Sequence, residues 1–137
     1  MAKFGMESES NLATVDPELV RVLRTAIQIK DFKVICGHRG EEAQHEAFLS
    51  GASKLDWPKG KHNSLPSKAA DVRPWDQTTG KAVPYSNSVE YAMLAGVILA
   101  CAHLLEVRVR WGHDWNSNML TTDEQGKLVD MPHFELY

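Results

Sequence analysis

The chain has 137 residues, 43% of them hydrophobic and 24% charged, an ordinary composition for a soluble globular protein and enough chain for one modest core. Its formal net charge is −3, so it carries no broad basic footprint for nucleic acid and no general attraction to anionic wall polymers. Two cysteines, Cys36 and Cys101, make no disulfide framework and read as small buried hydrophobes.

The opening MAKFGMESES lacks the apolar core of a signal peptide. The longest apolar run, AMLAGVILACAHLL, is too short for a comfortable membrane span and ends in polar residues. The expectation is one domain over 1–137, made and held in the cytoplasm, with no membrane insertion and no partner subunit.

In chain order, Val15-Asp16-Pro17-Glu18 starts a helix: Thr14 or Asp16 caps, Pro17 fits the first turn and Glu18 suits the dipole. Leu19, Leu23, Ala26 and Ile27 form its apolar stripe. Phe32 to Cys36 reads as a strand closed by Gly37, with His38 and Arg39 in the turn. Glu41 to Leu49 reads as a short helix closed by Gly51. Ser50 to Pro66 is a long loop rich in Gly, Ser, Lys and Pro, of the kind that is usually functional in a compact domain. Ala69 to Arg73 is a short strand ended by Pro74, and Asp76 to Pro84 a hairpin or surface loop. Ser86 or Asn87 caps the best helix, about Ser88 to Leu105. Val107 to Trp111 is a strand, Asn116 to Lys127 a polar loop, and Pro132 to Leu136 a closing strand. Helices near both ends of a small, mostly antiparallel sheet imply an α+β fold.

Two stretches carry chemistry. KHNSLPSKAADVRP supplies His62 and Asp71; VDMPHFEL supplies Asp130, His133 and Glu135. Two neutral imidazoles and a carboxylate are a usual donor set for catalytic zinc, which keeps a further position open for water. In the last strand, period two puts His133 and Glu135 on one face and Phe134 and Leu136 on the other. Asp71 likewise opposes Ala70 and Val72, so two strands can present ligands to one point. Asp114-x-Asn116-x-Asn118 has the start of a calcium loop. Met119 and Gln125 stand where the loop needs its Gly and its bidentate Glu, so a polar turn is the plainer reading and a Ca2+ site the secondary one.

His, a loop, Ala-x-Asp and a distant acid-x-x-His resembles the zinc D-Ala-D-Ala carboxypeptidases and L-alanyl-D-glutamate endopeptidases of bacteria and their phages, in a superfamily that includes lysostaphin-like peptidases and the hedgehog domain. FGMESESNLATVDPELVRVL resembles the opening of phage endolysins of this group. VICGHRGEEAQHEAFLSGASK resembles their Gly-x-Arg, Gln and Gly-x-Ser segment, and RVRWGHDWN their Trp-Gly-x-Asp-Trp segment. The likeness spans nearly the whole chain. It departs from the family where Gly60 replaces a serine two residues before His62, and where the loop from His62 to Asp71 is longer; Asn63, Pro66 and Ser67 fit an Asn-x-x-Pro-Ser variant.

The resemblance implies a hedgehog/D-Ala-D-Ala peptidase-like fold and one zinc per chain on His62, Asp71 and His133. It implies Asp130 as general base and Arg39 as a guanidinium for substrate or oxyanion charge. Gln44, Ser53, Trp115 and Glu135 are expected to line or support the cleft. His38 and His45 read as solvated and His103 as structural. The implied substrate is peptidoglycan, cut at the L-Ala–D-Glu bond in phage-type lysis after holin-dependent release. The alternatives are a D-Ala-D-Ala carboxypeptidase, or a non-catalytic zinc or wall-binding module.

Overall fold

The computed structural model describes residues 2–137. Among these residues four α-helices accompany an antiparallel sheet. They are α1 (Met6–Leu12), α2 (Pro17–Ala26), α3 (Glu41–Leu49) and α4 (Ser88–Leu104); the strands are β1 (Phe32–Cys36), β2 (Ala69–Asp76), β3 (Lys81–Ala82), β4 (Val109–Gly112) and β5 (Asp130–Leu136). The strand order is β1-β2-β5-β4, with β3 paired to the far end of β2.

Alternation along these strands divides the sheet into two chemically different faces. Val34, Ala70, Val72 and Phe134 are essentially fully buried on one face, against Leu19, Val22, Leu23 and Ala26 of α2 and Leu94, Ala95 and Ile98 of α4. Burial of each larger aliphatic side chain there contributes about 1.5–3 kcal/mol. Asp71, His133, Glu135 and Arg110 take the other face. The register sets Asp71 directly opposite His133 and Arg110 opposite Glu135.

Helix α2 begins as expected, with the Asp16 side chain accepting the Glu18 N–H at 2.9 Å and Pro17 in the first turn. Asn87 caps α4 by accepting the Glu90 N–H. Helix α1 was absent from the sequence reading. It is short, and its sequence MESESNL carries little apolar periodicity. It serves the edge of β1, where Ser8 Oγ accepts the Val34 N–H at 3.0 Å and Asn11 donates to the Val34 carbonyl at 2.9 Å. Covering an edge strand in this way removes free pairing groups.

Three strand boundaries differ from expectation, β4 by running from Val109 to Gly112 instead of from Val107 to Trp111. Strand β2 runs past Pro74 to Asp76. The Pro74 carbonyl accepts from Val83 N at 2.9 Å; the N–H that proline lacks would point to the same side, beyond the 69–71 stretch that pairs with β5. Strand β5 begins at Asp130, not Pro132, because the register shifts between Trp111 and Gly112 and sets Gly112 against Asp130. His103, expected to be structural, is exposed on α4.

Gly112 allows the close approach of Asp130. A Cβ at position 112 would lie 2.0 Å from the Asp130 carbonyl oxygen, which is backbone and has no rotamer to yield. Gly112→Ala is therefore expected to destabilise the fold by about 1–3 kcal/mol, the usual cost of overpacking. Equilibrium urea unfolding checks this; an unchanged midpoint would contradict the close contact.

Candidate metal centre

The first half-site is built by the turn before β2. Residues Lys61–Asn63 form a single 3-10 turn. His62 is 4% exposed, and its Nδ1 donates to the Gly37 carbonyl at 2.7 Å. That bond leaves Nε2 free as a lone-pair donor aimed at β2 and β5. Asn63 holds the turn: its Oδ1 accepts the Gly60 N–H at 2.8 Å, while its Nδ2 donates to the Arg39 carbonyl and to Gln44 Oε1. This arrangement accounts for glycine at position 60, because a Cβ there would sit 2.8 Å from Asn63 Oδ1.

The second half-site comes from the paired strands. His133 Nε2 is hydrogen-bonded to Glu135 Oε1 at 2.8 Å, and Glu135 Oε2 accepts from Arg110 Nε at 3.1 Å. With Nε2 so committed, His133 presents Nδ1. The distances from His62 Nε2 to Asp71 Oδ1, from His62 Nε2 to His133 Nδ1 and from His133 Nδ1 to Asp71 Oδ1 are 3.2, 3.3 and 3.3 Å. Donors about 2.0 Å from a tetrahedral zinc stand about 3.3 Å apart. The three atoms thus form one face of such a tetrahedron. Each imidazole has its other nitrogen held by an acceptor, the usual outer support of a metal-binding histidine.

Cys36 is a residue the sequence reading assigned to the core. It is only half-buried and closes β1 opposite Asp71. Ligand atoms of Cys36, His62 and Asp71 lie within 4.8 Å of one another, so this group too could hold a metal ion. The thiol, however, faces His62 Nδ1 at 3.8 Å, the nitrogen already given to Gly37. The His62–Asp71–His133 set is free of that conflict. The register of β1 against β2 is what brings Cys36 here, and nothing in its local sequence signals it.

The electrostatics favour a cation at the triangle. Burial opposes charge on His62, but Asp71 and Cys36 outweigh it and raise the imidazole to about 10. Burial likewise opposes charge on His133, which Asp71 and Glu135 raise to about 9. Burial would lift Asp71, yet the two imidazoles hold its carboxyl well below the usual range. A metal ion would take the place of the histidine protons.

Asp130 stands beside this cluster, with Oδ2 3.9 Å from His133 Nδ1. Its pKa is raised, first by burial and then by the charge of Asp71. Burial would also raise Glu135, but His133 and Arg110 pull it below its ordinary value. The two carboxylates are thus pushed in opposite directions: Glu135 is locked as an acceptor, whereas Asp130 is free and more basic.

Arg39 donates from Nη2 to Asp71 Oδ2 at 3.4 Å and from Nη1 to Gln44 Oε1 at 3.1 Å, which turns Asp71 Oδ1 towards the histidines. Gln44, 1% exposed, also donates to Ser53 Oγ at 3.0 Å and to the Leu55 carbonyl at 2.5 Å. Gln44 and Ser53 therefore join the cleft wall to the His62 turn. The Trp115 ring lies 5.8 Å from that of His133, and its Nε1 donates to the Leu128 carbonyl at 2.7 Å. All of these residues line one cleft of about 600 Å³.

Trp111 is in the core instead, donating to the Met131 carbonyl at 2.7 Å. His113 packs edge-on against it, 5.5 Å away, and His45 pairs at the surface with Asp56. The calcium expectation gains no support. Asp114 accepts the Asn118 and Met119 N–H groups, and Asn116 and Asn118 turn their amide nitrogens, not their oxygens, to Asp123.

No helix among the described residues is long and apolar enough to cross a membrane. The family model for phage L-alanyl-D-glutamate peptidases matches residues 1–137. The chain is 31% identical over 138 residues to the L-alanyl-D-glutamate peptidase of Escherichia phage T5, covering 98% of this chain and 97% of that protein. Its fold superposes on the crystal structure of the Serratia marcescens L-Ala D-Glu endopeptidase ChiX with a TM-score of 0.74 and 27% identity, over 98% of this chain and 90% of that one. Sequence and fold agree along the full length, and the chain belongs to the phage L-alanyl-D-glutamate peptidase family.

Proposed function

We propose that this protein is a single-domain zinc peptidase that hydrolyses the L-Ala–D-Glu bond of peptidoglycan stem peptides, acting as a phage endolysin. The observation that carries this reading is the triangle of donors 3.2–3.3 Å apart with an uncommitted carboxylate beside it. His62 Nε2, Asp71 Oδ1 and His133 Nδ1 would hold the zinc, which supplies Lewis acidity and lowers the pKa of water toward about 7.

The protein groups then divide the work. Asp130 takes the proton of the attacking water and returns it to the departing D-Glu nitrogen, the role of a general base turned acid. Its raised pKa suits both directions. Arg39 orients Asp71 and places a guanidinium where negative charge develops on the scissile carbonyl oxygen. Glu135, tied to Arg110, fixes the His133 ring. Trp115 lies beside the His133 ring and lines the cleft. The N-terminal FGMESESNLATVDPEL segment supports endopeptidase over carboxypeptidase action, and the unused carboxylate at Asp130 supports catalysis over mere binding.

Metal content is the first check. His62→Ala and His133→Ala are each expected to lose most bound zinc and all activity; full zinc content by atomic emission in both would remove the ligand assignment. Asp130→Asn is expected to keep its fold and zinc while kcat falls by about 10²–10⁴. Glu135→Gln should retain more turnover and lose metal affinity by about 10–100-fold. The reverse pattern would exchange the two roles. Digestion of purified peptidoglycan tests the bond itself. Mass spectrometry should find new N-terminal D-Glu, and release of free D-alanine with the L-Ala–D-Glu bond intact would contradict the reading.

A further inference from the structure

The basic residues of the cleft are not equivalent. Its wall carries Arg39, Lys54, Lys61 and Lys127. Arg39 is engaged with Asp71, and Lys127 with Glu124 at 2.7 Å. Among the described residues, no carboxylate lies within 4 Å of the amino group of Lys54 or Lys61. The cleft acids are engaged elsewhere: Asp71 belongs to the histidine cluster, Glu135 is paired with Arg110 and His133 and feels the charge of Lys61 only at longer range, and Asp130 stands beside His133. In a chain of net charge −3, two cations without a salt-bridge partner among the described residues thus share the wall of one concave site.

Their backbones are held in place although their side chains are exposed. Lys54 lies between Ser53 and Leu55, both bound by Gln44. Lys61 lies between Gly60 and His62, in the turn that Asn63 ties to the same Gln44. One buried amide therefore sets both anchors relative to the histidine cluster.

The substrate chemistry supplies a matching anion. In an L-Ala–D-Glu bond the D-Glu contributes its nitrogen. Of its two carboxyl groups, one continues the stem and the other is left over, as a free carboxylate or as an amide. That group is never more than a few bonds from the scissile nitrogen. We propose that Lys54 and Lys61 form the subsite for this free D-Glu carboxylate and make the enzyme discriminate acid from amide at that position. The subsite rests on the peptidase reading above and names its substrate more closely.

The test uses two synthetic stem peptides, identical except that the D-Glu side group is a carboxylate in one and a carboxamide in the other. Binding is measured by calorimetry on zinc-loaded Asp130→Asn protein, and turnover on the otherwise unaltered enzyme. A charge-assisted contact should make binding of the carboxylate peptide roughly tenfold tighter. Adding Lys54→Met and Lys61→Met together should erase that preference, raise KM for the acid peptide with kcat little changed, and leave the amide peptide nearly unaffected. Lys54→Arg with Lys61→Arg should restore the preference. Zinc content and thermal melting confirm that each variant is folded and loaded. A preference that survives in the double Met variant, equal losses on both peptides, or no preference in the starting protein would overturn the subsite. If the preference depends on the lysines but neither peptide is cut, the subsite stands and the assigned bond is what fails.

Discussion

The pairing of β2 with β5 is the constraint on which the rest of this site depends. Asp71 lies directly opposite His133, so a carboxylate and an imidazole meet on one face of the sheet without any loop having to place them. Period-two alternation commits the same register to the core, because Ala70, Val72 and Phe134 point the other way and are almost fully buried. A one-residue slip would expose these apolar side chains and bury Asp71 and His133 among aliphatic neighbours. Hydrophobic burial on one face thereby enforces the placement of Asp71 and His133 on the other, and the spacing of these candidate donors becomes a by-product of core packing.

The third candidate donor, His62, comes from irregular chain, and a different device holds it. Gln44, itself inaccessible, joins Arg39, Asn63, Ser53 and the Leu55 carbonyl through one side-chain amide. Both of its ends are satisfied, as a buried polar group requires. This single hub sets the His62 turn and the loop after α3 relative to the sheet. Removing the amide would strand several buried partners at once, which costs more than the loss of any one hydrogen bond.

Charge is distributed by the same logic. Cationic partners keep Glu135 below its ordinary range, whereas burial and a neighbouring anion raise Asp130. Two carboxylates in one strand, both close to His133, are thereby given different chemistry by their surroundings alone. Separation of acid and base roles by environment is the general way in which one site performs both halves of a proton transfer.

Much of this was legible in the sequence. Alternation in PHFEL and AADV assigned faces to Asp71, His133 and Glu135, and those faces are as read, because side-chain direction in a strand follows from its period. Thr14 or Asp16 before Pro17, and Ser86 or Asn87, marked helix starts, because capping is local chemistry; the structure selects Asp16 and Asn87. The Ser50–Pro66 stretch was recognisable from its composition as a long loop of the usually functional kind, and parts of it line the cleft. What only the tertiary structure decided depends on contacts between distant segments. Cys36 came beside His62 and Asp71 through the β1–β2 register, and Asp130 entered β5 because Gly112 admits it. Helix α1 is held at the edge of β1 by Ser8 and Asn11, and β2 runs on through Pro74 where no partner needs its N–H. The triangle of candidate donors itself belongs to this class. Its three donors lie on three separate segments of chain, and their spacing of 3.2–3.3 Å exists only once the hydrophobic face has locked β2 against β5 and Gln44 has fixed the His62 turn.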